Sequence, residues 1–196
     1  MTDHARGKTL RGSKKPANGD GALHLLSAYA GPAGLVTGQR AVAGKSNEIT
    51  AIPELLDMLA IKGAIVAIDA MGTQKAIAAK IVAQEADYVL ALKGNQTALR
   101  DDVKLFSGDA ELSGHCAIHK TTGIGHGRVE ARASRAAQAI GWLKELHPEW
   151  QNLRSIAAIT STRIARKTGQ ASIETRYYMT SLSADPAAIL AAARAH

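Results

Sequence analysis

Hydrophobic positions follow two different periods along the chain, and the pattern changes near residue 107. Two short apolar runs at residues 64–68 and 88–92 contain no alternation, which is typical of strands buried on both faces of a sheet. Around these runs, apolar residues recur every three or four positions, which predicts helices. These helical positions are Ile49, Ile52, Leu55, Leu56 and Leu59, then Ile77 and Ile81, then Leu99, Val103 and Phe106. Residues 47–106 therefore predict alternating helices and strands, hence a parallel sheet covered by helices.

Shorter strands are predicted on both sides of this stretch. Before it, residues 23–30 and 35–42 form two strand-like segments joined by a four-residue turn, which indicates a hairpin. After it, strands are predicted at residues 116–122, 128–134, 155–162 and 172–180. A short helix at 142–146 interrupts them, and Asp185 and Pro186 begin a last helix. The predicted fold class is α/β, with a mixed sheet, flanking helices and a β-rich second part.

Single residues predict where the first helices begin and end. We expect Asn47 and Thr73 to cap the helices that follow them, because their side-chain oxygens can accept backbone N–H groups. Gly63 is expected to end the first helix. Pro53 is tolerable only near that helix's first turn, where a missing N–H costs least.

Changes in composition divide the chain into four segments. Residues 1–21 are a basic strand remnant and loop, and 22–106 are the α/β core. Residues 107–182 are a β-rich insertion, and 183–196 are the start of a C-terminal helix.

Composition excludes several classes of protein. The chain has 196 residues, of which 46% are hydrophobic, so extensive disorder is excluded. A single cysteine excludes an internal disulfide framework and a multi-cysteine zinc site. No long uncharged apolar run is present, so no membrane partner is expected, and a reducing cytoplasmic setting is the default. The net charge of +7 makes a polyanion a plausible partner. Aromatic residues, at 4%, are too few for a base-stacking surface.

Asp69 is the most informative polar residue. It ends the first buried apolar run, which places a carboxylate at the carboxyl edge of a sheet, where open α/β folds put their sites. One interpretation is a ligand for Mg²⁺, which needs only one or two protein carboxylates besides phosphate oxygens. The other interpretation is a cap for the following helix, and position alone does not decide between them.

Six ordered motifs extend the pattern. They are GKTLRGS at residues 7–13, KSNE at 45–48, IDAMGTQ at 68–74, DYVLALKGNQ at 87–96, GHGRVEAR at 125–132 and RYYMTSL at 176–182. With these motifs the chain resembles bacterial insertion-sequence transposases of the DDE type, in the ISAs branch. The resemblance runs from about residue 6 to the end of the chain.

The resemblance implies an RNase H-like catalytic core with a β insertion before the last catalytic helix. In such enzymes three carboxylates hold two Mg²⁺ or Mn²⁺ ions, which drive cleavage and transfer of strands of double-stranded DNA at the element ends and the target. Among those carboxylates, the resemblance assigns the catalytic and metal-binding role to Asp69.

The chain departs from the family pattern at the two other acids. The position that normally carries the first acid, directly before Gly7, holds Arg6. Asp3 is no substitute, because an odd shift along a strand moves a residue to the other face. The third acid normally follows a His-Trp pair, and this chain ends at His196. We therefore expect an incomplete, inactive transposase. The alternatives are a non-catalytic regulator that binds DNA, intact transposase or itself, and an unrelated basic α/β nuclease.

Further residues are candidates for contact with DNA. They are Lys8, Arg11, Lys93, Asn95, Gln96, His126, Arg128, Arg132 and Arg176. Lys93, Asn95 and Gln96 follow the second buried strand, at the edge predicted to carry Asp69, although turn chemistry explains them equally well. Glu130 is a weak candidate for a catalytic acid. Its alternative is a salt-bridged strand carboxylate between Arg128 and Arg132.

Overall fold

A computed structural model describes residues 2–10, 23–30, 35–42, 48–109, 116–125, 127–138 and 141–195. The chain divides into two units. Unit 1 contains Met1–Leu90, Glu149–Gln151 and Ala192–His196, and unit 2 contains Ala91–Pro148 and Asn152–Ala191. The division into four segments that composition suggests stays a prediction.

The strands of unit 1 form a mixed sheet. They are β1 (Thr2–Leu10), β2 (Leu23–Ala30), β3 (Leu35–Val42), β4 (Ile65–Ile68) and β5 (Asp87–Leu92). Their spatial order is β3-β2-β1-β4-β5. The first three strands pair antiparallel as consecutive hairpins, whereas β1, β4 and β5 run parallel. The bounds of β2 and β3 are those predicted.

Burial explains why β4 and β5 carry continuous apolar runs. Val66, Ala67 and Ile68 are all buried although they alternate between the two faces of the sheet. Tyr88, Val89 and Leu90 in β5 are buried in the same way. The structure is a mixed α/β sheet with flanking helices, and the predicted fold class is confirmed.

Two helices cover this sheet. Helix α1 (Glu48–Asp57) contacts β2 and β3, and helix α2 (Lys75–Ala83) packs through its apolar side. The buried helical residues are Ala51, Ile52, Leu55 and Leu56 in α1 and Ile77, Ala78 and Ile81 in α2. Ile49 was predicted on the buried face but is exposed. Pro53 lies inside the helix rather than in its first turn.

The predicted caps of these helices differ from the observed ones. Helix α1 ends at Asp57, not at Gly63. Gly63 instead takes a positive φ of 72° in the turn before β4, where its N–H donates to the carbonyl of Glu85 at 2.9 Å. Gln74, not Thr73, is the N-cap of α2, and it makes no capping bond through its side chain. Asn47 lies outside the described residues.

Unit 2 carries the β-rich part of the chain. Its elements are α3 (Thr97–Gly108), β6 (Ala117–Gly125), β7 (Arg128–Ala137), α4 (Gly141–Leu146), β8 (Ser155–Ala165) and β9 (Ala171–Thr180). Strands β6 to β9 form an antiparallel meander. Helix α5 (Pro186–Ala195) follows. Asp185 caps α5 as predicted, because its Oδ1 accepts the N–H groups of Ala187 at 2.9 Å and Ala188 at 3.1 Å.

A short segment far along the chain returns to unit 1. The Tyr88 hydroxyl, fully buried in β5, donates to the carbonyl of Gln151 at 2.9 Å. Glu149 forms an ion pair with Lys75 of α2 at 2.7 Å. Trp150 between them is almost completely buried. In the part of the chain that the structure describes, no helix is long and apolar enough to cross a membrane.

Candidate functional site

Asp69 stands directly after β4 and caps a single 3₁₀ turn, Ala70–Gly72. Its Oδ1 accepts the N–H groups of Met71 at 3.0 Å and Gly72 at 3.4 Å. The residue is exposed, and no described residue donates a hydrogen bond to its Oδ2. The carboxylate is therefore oriented by the turn through one oxygen, which leaves the other available to a ligand.

The turn that orients Asp69 depends on close packing. The Thr73 hydroxyl donates to the Asp69 carbonyl at 3.2 Å, which fastens the turn to the end of β4. Gly72 is buried, and a Cβ there would lie 2.7 Å from Cδ1 of Ile52 and closer still to Cγ2 of Ile68. Only glycine fits between α1 and β4 at this position without movement of its neighbours.

The position at which the family resemblance expects the first acid lies on β1. Strands β1 and β4 are parallel neighbours, with Thr2 opposite Ile65 and His4 opposite Ala67. The described β1–β4 pairs end there, and the backbone of Arg6 pairs with Ser27 of β2. Asp3, opposite Val66, lies level with the interior of β4 instead.

The described residues do not fit a two-metal site. Among the residues whose side chains the structure describes, which do not include those of β1, no group of three His, Cys, Asp or Glu that could hold a metal ion occurs. Two divalent ions require several anionic ligands, because one carboxylate neither offsets their charge nor fixes their geometry. Asp69 is one carboxylate at the end of β4.

The turn after β5 contains three of the predicted DNA-binding residues. Lys93 is extended, and Asn95 and Gln96 lie in a 3₁₀ turn, Gly94–Gln96, that leads into α3. The Thr97 hydroxyl donates to the Gly94 carbonyl at 2.7 Å and closes this turn. Lys93 and Asn95 are exposed. Phosphate contact by these residues stays a prediction.

The strongest cluster of charges lies on the meander of unit 2. Glu130 on β7 bonds Arg163 on β8 through Oε1 at 2.8 Å and Arg132 through Oε2 at 2.7 Å. Glu174 on β9 bonds Arg176 at 2.8 Å and reaches Arg163 at 3.5 Å. We call these five residues, Glu130, Arg132, Arg163, Glu174 and Arg176, the charge lattice. Both oxygens of Glu130 are occupied by arginines, which is the contact pattern of the salt-bridged alternative.

The charge lattice changes the pKa of its acids and of one base. The hydrogen bond from Arg163 is the main cause that lowers the pKa of Glu130, and that from Arg176 lowers the pKa of Glu174. The same bond to Glu174 raises the pKa of Arg176. These residues are therefore ionised throughout the neutral pH range.

The side chains of three predicted site residues lie outside the described part of the chain, and two residues of the charge lattice were not predicted. Arg11 and His126 lie outside the described residues, and of Lys8 only the backbone, paired with Leu25, is described. Arg163 and Glu174 were not predicted as site residues. The alternation of charge at steps of two, as in Glu174 and Arg176, was the signal in the sequence that could have indicated them.

Comparison with known proteins gives a consistent family. Residues 2–196 match a family model described as a transposase DDE domain. A protein encoded in the dhlA 3′ region of Xanthobacter autotrophicus is 44% identical over 92% of this chain and 60% of its own length. YncI of Escherichia coli O157:H7, which carries the name of a transposase, is 38% identical over 97% of this chain and 49% of its own. The chain thus spans about half to three fifths of the length of these relatives.

The substitution Gly72→Ala should destabilise the protein by about 1–3 kcal/mol, because the added methyl overlaps side chains of β4 and α1. The matched control is Gly94→Ala, since a Cβ at Gly94 meets nothing within 4 Å. That variant should change stability by less than about 0.5 kcal/mol. Urea unfolding followed by circular dichroism measures both. Equal midpoints for the two variants would contradict the packing argument.

Acid should remove the stabilisation that the charge lattice provides. Because the pKa values of Glu130 and Glu174 are lowered in the folded protein, their contribution is complete above the unfolded value of about 4.3 and is lost as the pH falls through the folded values. The midpoint of urea unfolding should therefore fall more steeply below about pH 4.3 in the parent chain than in the double variant E130Q/E174Q. Parallel curves for the two proteins would show that these pairs add no stability.

Proposed function

Because the chain belongs to the transposase DDE-domain family, we propose that it is a transposase domain that binds double-stranded DNA but does not carry out strand transfer by itself. The parent activity of the family is metal-dependent cleavage and transfer of DNA strands. The observation that carries the proposal is Arg6 on β1, the parallel neighbour of β4, at the position where the family pattern has an acid. Acting on DNA, the protein would work at the nucleoid in the bacterial cytoplasm.

Electrostatics at the edge of β4 supports the loss of chemistry. A divalent ion beside Asp69 would be repelled by the positive charge of Arg6 rather than held by a second carboxylate. Asp69 would still orient its free oxygen toward the edge, but one carboxylate does not hold Mg²⁺ or Mn²⁺ in a geometry that activates water. The proposed chain therefore keeps the framework of the site and lacks the ion.

A regulatory role is the second candidate function, and the same observation favours it. A family member that binds DNA without cutting it would occupy element ends that intact transposase needs. Binding to intact transposase or to a second copy of itself would dampen transposition in a similar way. The exposed apolar side chains of the meander, described below, are compatible with such a protein partner.

Replacement of Arg6 by aspartate tests the explanation for the missing ion. We expect Mn²⁺ to bind the parent chain weakly, and Arg6→Asp to raise the affinity at least about tenfold, because a repulsive charge next to Asp69 becomes attractive. Electron paramagnetic resonance of Mn²⁺ measures the bound fraction. Arg135→Asp, the same charge change at an exposed position of β7, is the control and should have little effect.

Two outcomes would contradict this proposal. One is equal Mn²⁺ affinity in the parent chain and the Arg6→Asp variant. The other is nicking or joining of DNA by the parent chain with Mg²⁺, provided that Asp69→Ala abolishes it.

Binding to duplex DNA should depend steeply on salt. Neutralising about six phosphates would weaken binding by about 10³ between about 50 and 200 mM salt. Fluorescence anisotropy of a labelled duplex measures the dissociation constant across the series. An affinity that does not change with salt, or no binding at all, would refute the DNA-based function.

A further inference from the structure

The meander of unit 2 is covered at one end and bare at the other. In β8, the residues from Ser155 to Ile159 are all buried, so both faces of the sheet are packed there. Toward the opposite end, β8 and β9 become half-buried or exposed from Thr160 onward and before Tyr178. Both faces of the β8–β9 pair are thus open to solvent at the end that carries the charge lattice.

The strand register sorts side chains cleanly between these two faces. Glu130 pairs directly with Arg163, and Glu174 pairs with Ser161 beside it. Arg132 and Arg176 lie two residues along their own strands from these glutamates, so they share the same face. Arg128, two residues before Glu130, also lies there. This face carries four arginines and two glutamates.

The opposite face of the same strands is apolar at the bare end. Ile124 on β6 and Ile164 on β8 flank Val129 of β7, and Ile173 of β9 lies close by in the register. Ile124 and Ile173 are 72% and 71% exposed. These isoleucines offer a polyanion no favourable charge, whereas the arginine face does.

We propose that the arginine face of the meander binds DNA backbone phosphates, and that Glu130 and Glu174 are positioning residues that hold Arg132, Arg163 and Arg176 in one connected group. This inference rests on the proposed DNA-binding function. The three arginines lie on three adjacent strands, and ion pairs connect them in the order Arg132, Glu130, Arg163, Glu174 and Arg176. A guanidinium has five N–H donors, and each of these arginines uses at most two nitrogens on the glutamates.

Fixing the arginines favours binding through entropy. A free arginine side chain loses rotamer freedom when it contacts a phosphate, and an arginine already held by a glutamate has lost that freedom on folding. Arg163 is held from both sides, by Glu130 and by Glu174. The two glutamates reduce the net positive charge of the arginine face. They also hold the unused N–H donors of the arginines in a fixed arrangement, which suits bidentate contact with phosphate.

Glutamate substitutions distinguish positioning from simple charge. If only net charge mattered, Glu130→Gln would tighten DNA binding, because it removes a negative charge from the surface. If Glu130 positions arginines, the same substitution should weaken binding by about threefold or more. Glu174→Gln should act in the same direction. Anisotropy of a labelled duplex at constant salt gives the affinities, and circular dichroism with urea midpoints verifies that each variant is folded.

Arginine substitutions on the two faces provide the matched control. Arg132 and Arg135 belong to the same strand but to opposite faces. Arg132→Gln should weaken binding about fivefold to tenfold near 0.1 M salt and reduce the salt slope by about one, whereas Arg135→Gln should leave both nearly unchanged. Arg163→Lys keeps the charge but loses the two-sided contact, so it should weaken binding as well.

Each outcome decides the inference. Weaker binding by the Glu130, Arg132 and Arg163 variants, with Arg135→Gln unaffected, supports it. Unchanged or tighter binding by both glutamate variants overturns it, as do equal effects of Arg132→Gln and Arg135→Gln. In those cases salt-dependent binding by the parent chain still upholds the proposed function. Absence of binding by the parent chain refutes both.

Discussion

The burial of β4 between two parallel neighbours is the constraint on which the candidate site depends. Its backbone groups pair with β1 on one side and β5 on the other, and its side chains are packed on both faces. A charged side chain within such a strand would pay a large desolvation cost, so a polar group can stand only where the strand ends. Asp69 is that group, and two N–H groups of the 3₁₀ turn after it donate to its carboxylate.

The same pairing decides which strand is the neighbour of β4. Thr2 lies opposite Ile65 and His4 opposite Ala67 in a parallel register, while the other edge of β1 pairs with β2. Arg6 therefore belongs to the strand adjacent to the one that ends just before Asp69.

Periodicity predicted the elements well and their ends poorly, for a physical reason. The apolar runs of β4 and β5 reflect burial on both faces, which a sequence records directly. The helical spacing of Ile49 and Ile52 predicts that they share a face of α1. It does not predict how much of that face is covered, and Ile49 is exposed whereas Ile52 is buried. Thr73 could have capped a helix, but its hydroxyl bonds the Asp69 carbonyl because the 3₁₀ turn precedes α2.

Site residues whose position depends on one strand could be predicted from the sequence. Contacts between side chains of different strands could not. Asp69 could be found because the end of an apolar run is local information. The partners of Glu130 could not, because Arg163 is 33 residues away and the register of β7 with β8 is invisible in a single sequence. The alternation of Arg128, Glu130 and Arg132 predicted a shared face, but only the neighbouring strand shows that this face is a connected lattice.

Binding and cutting DNA place opposite demands on the charges of a protein surface. Cutting by the family chemistry needs carboxylates, because they hold the divalent ions that contact the phosphates. Binding needs cations that contact the phosphates directly. In the proposed function, the arginine at position 6, where the family pattern has an acid, adds a charge that repels metal ions and attracts phosphate. On the meander, the glutamates contact arginines. The net charge of +7 is thus less informative than its arrangement, in which Glu130 and Glu174 link arginines of three adjacent strands.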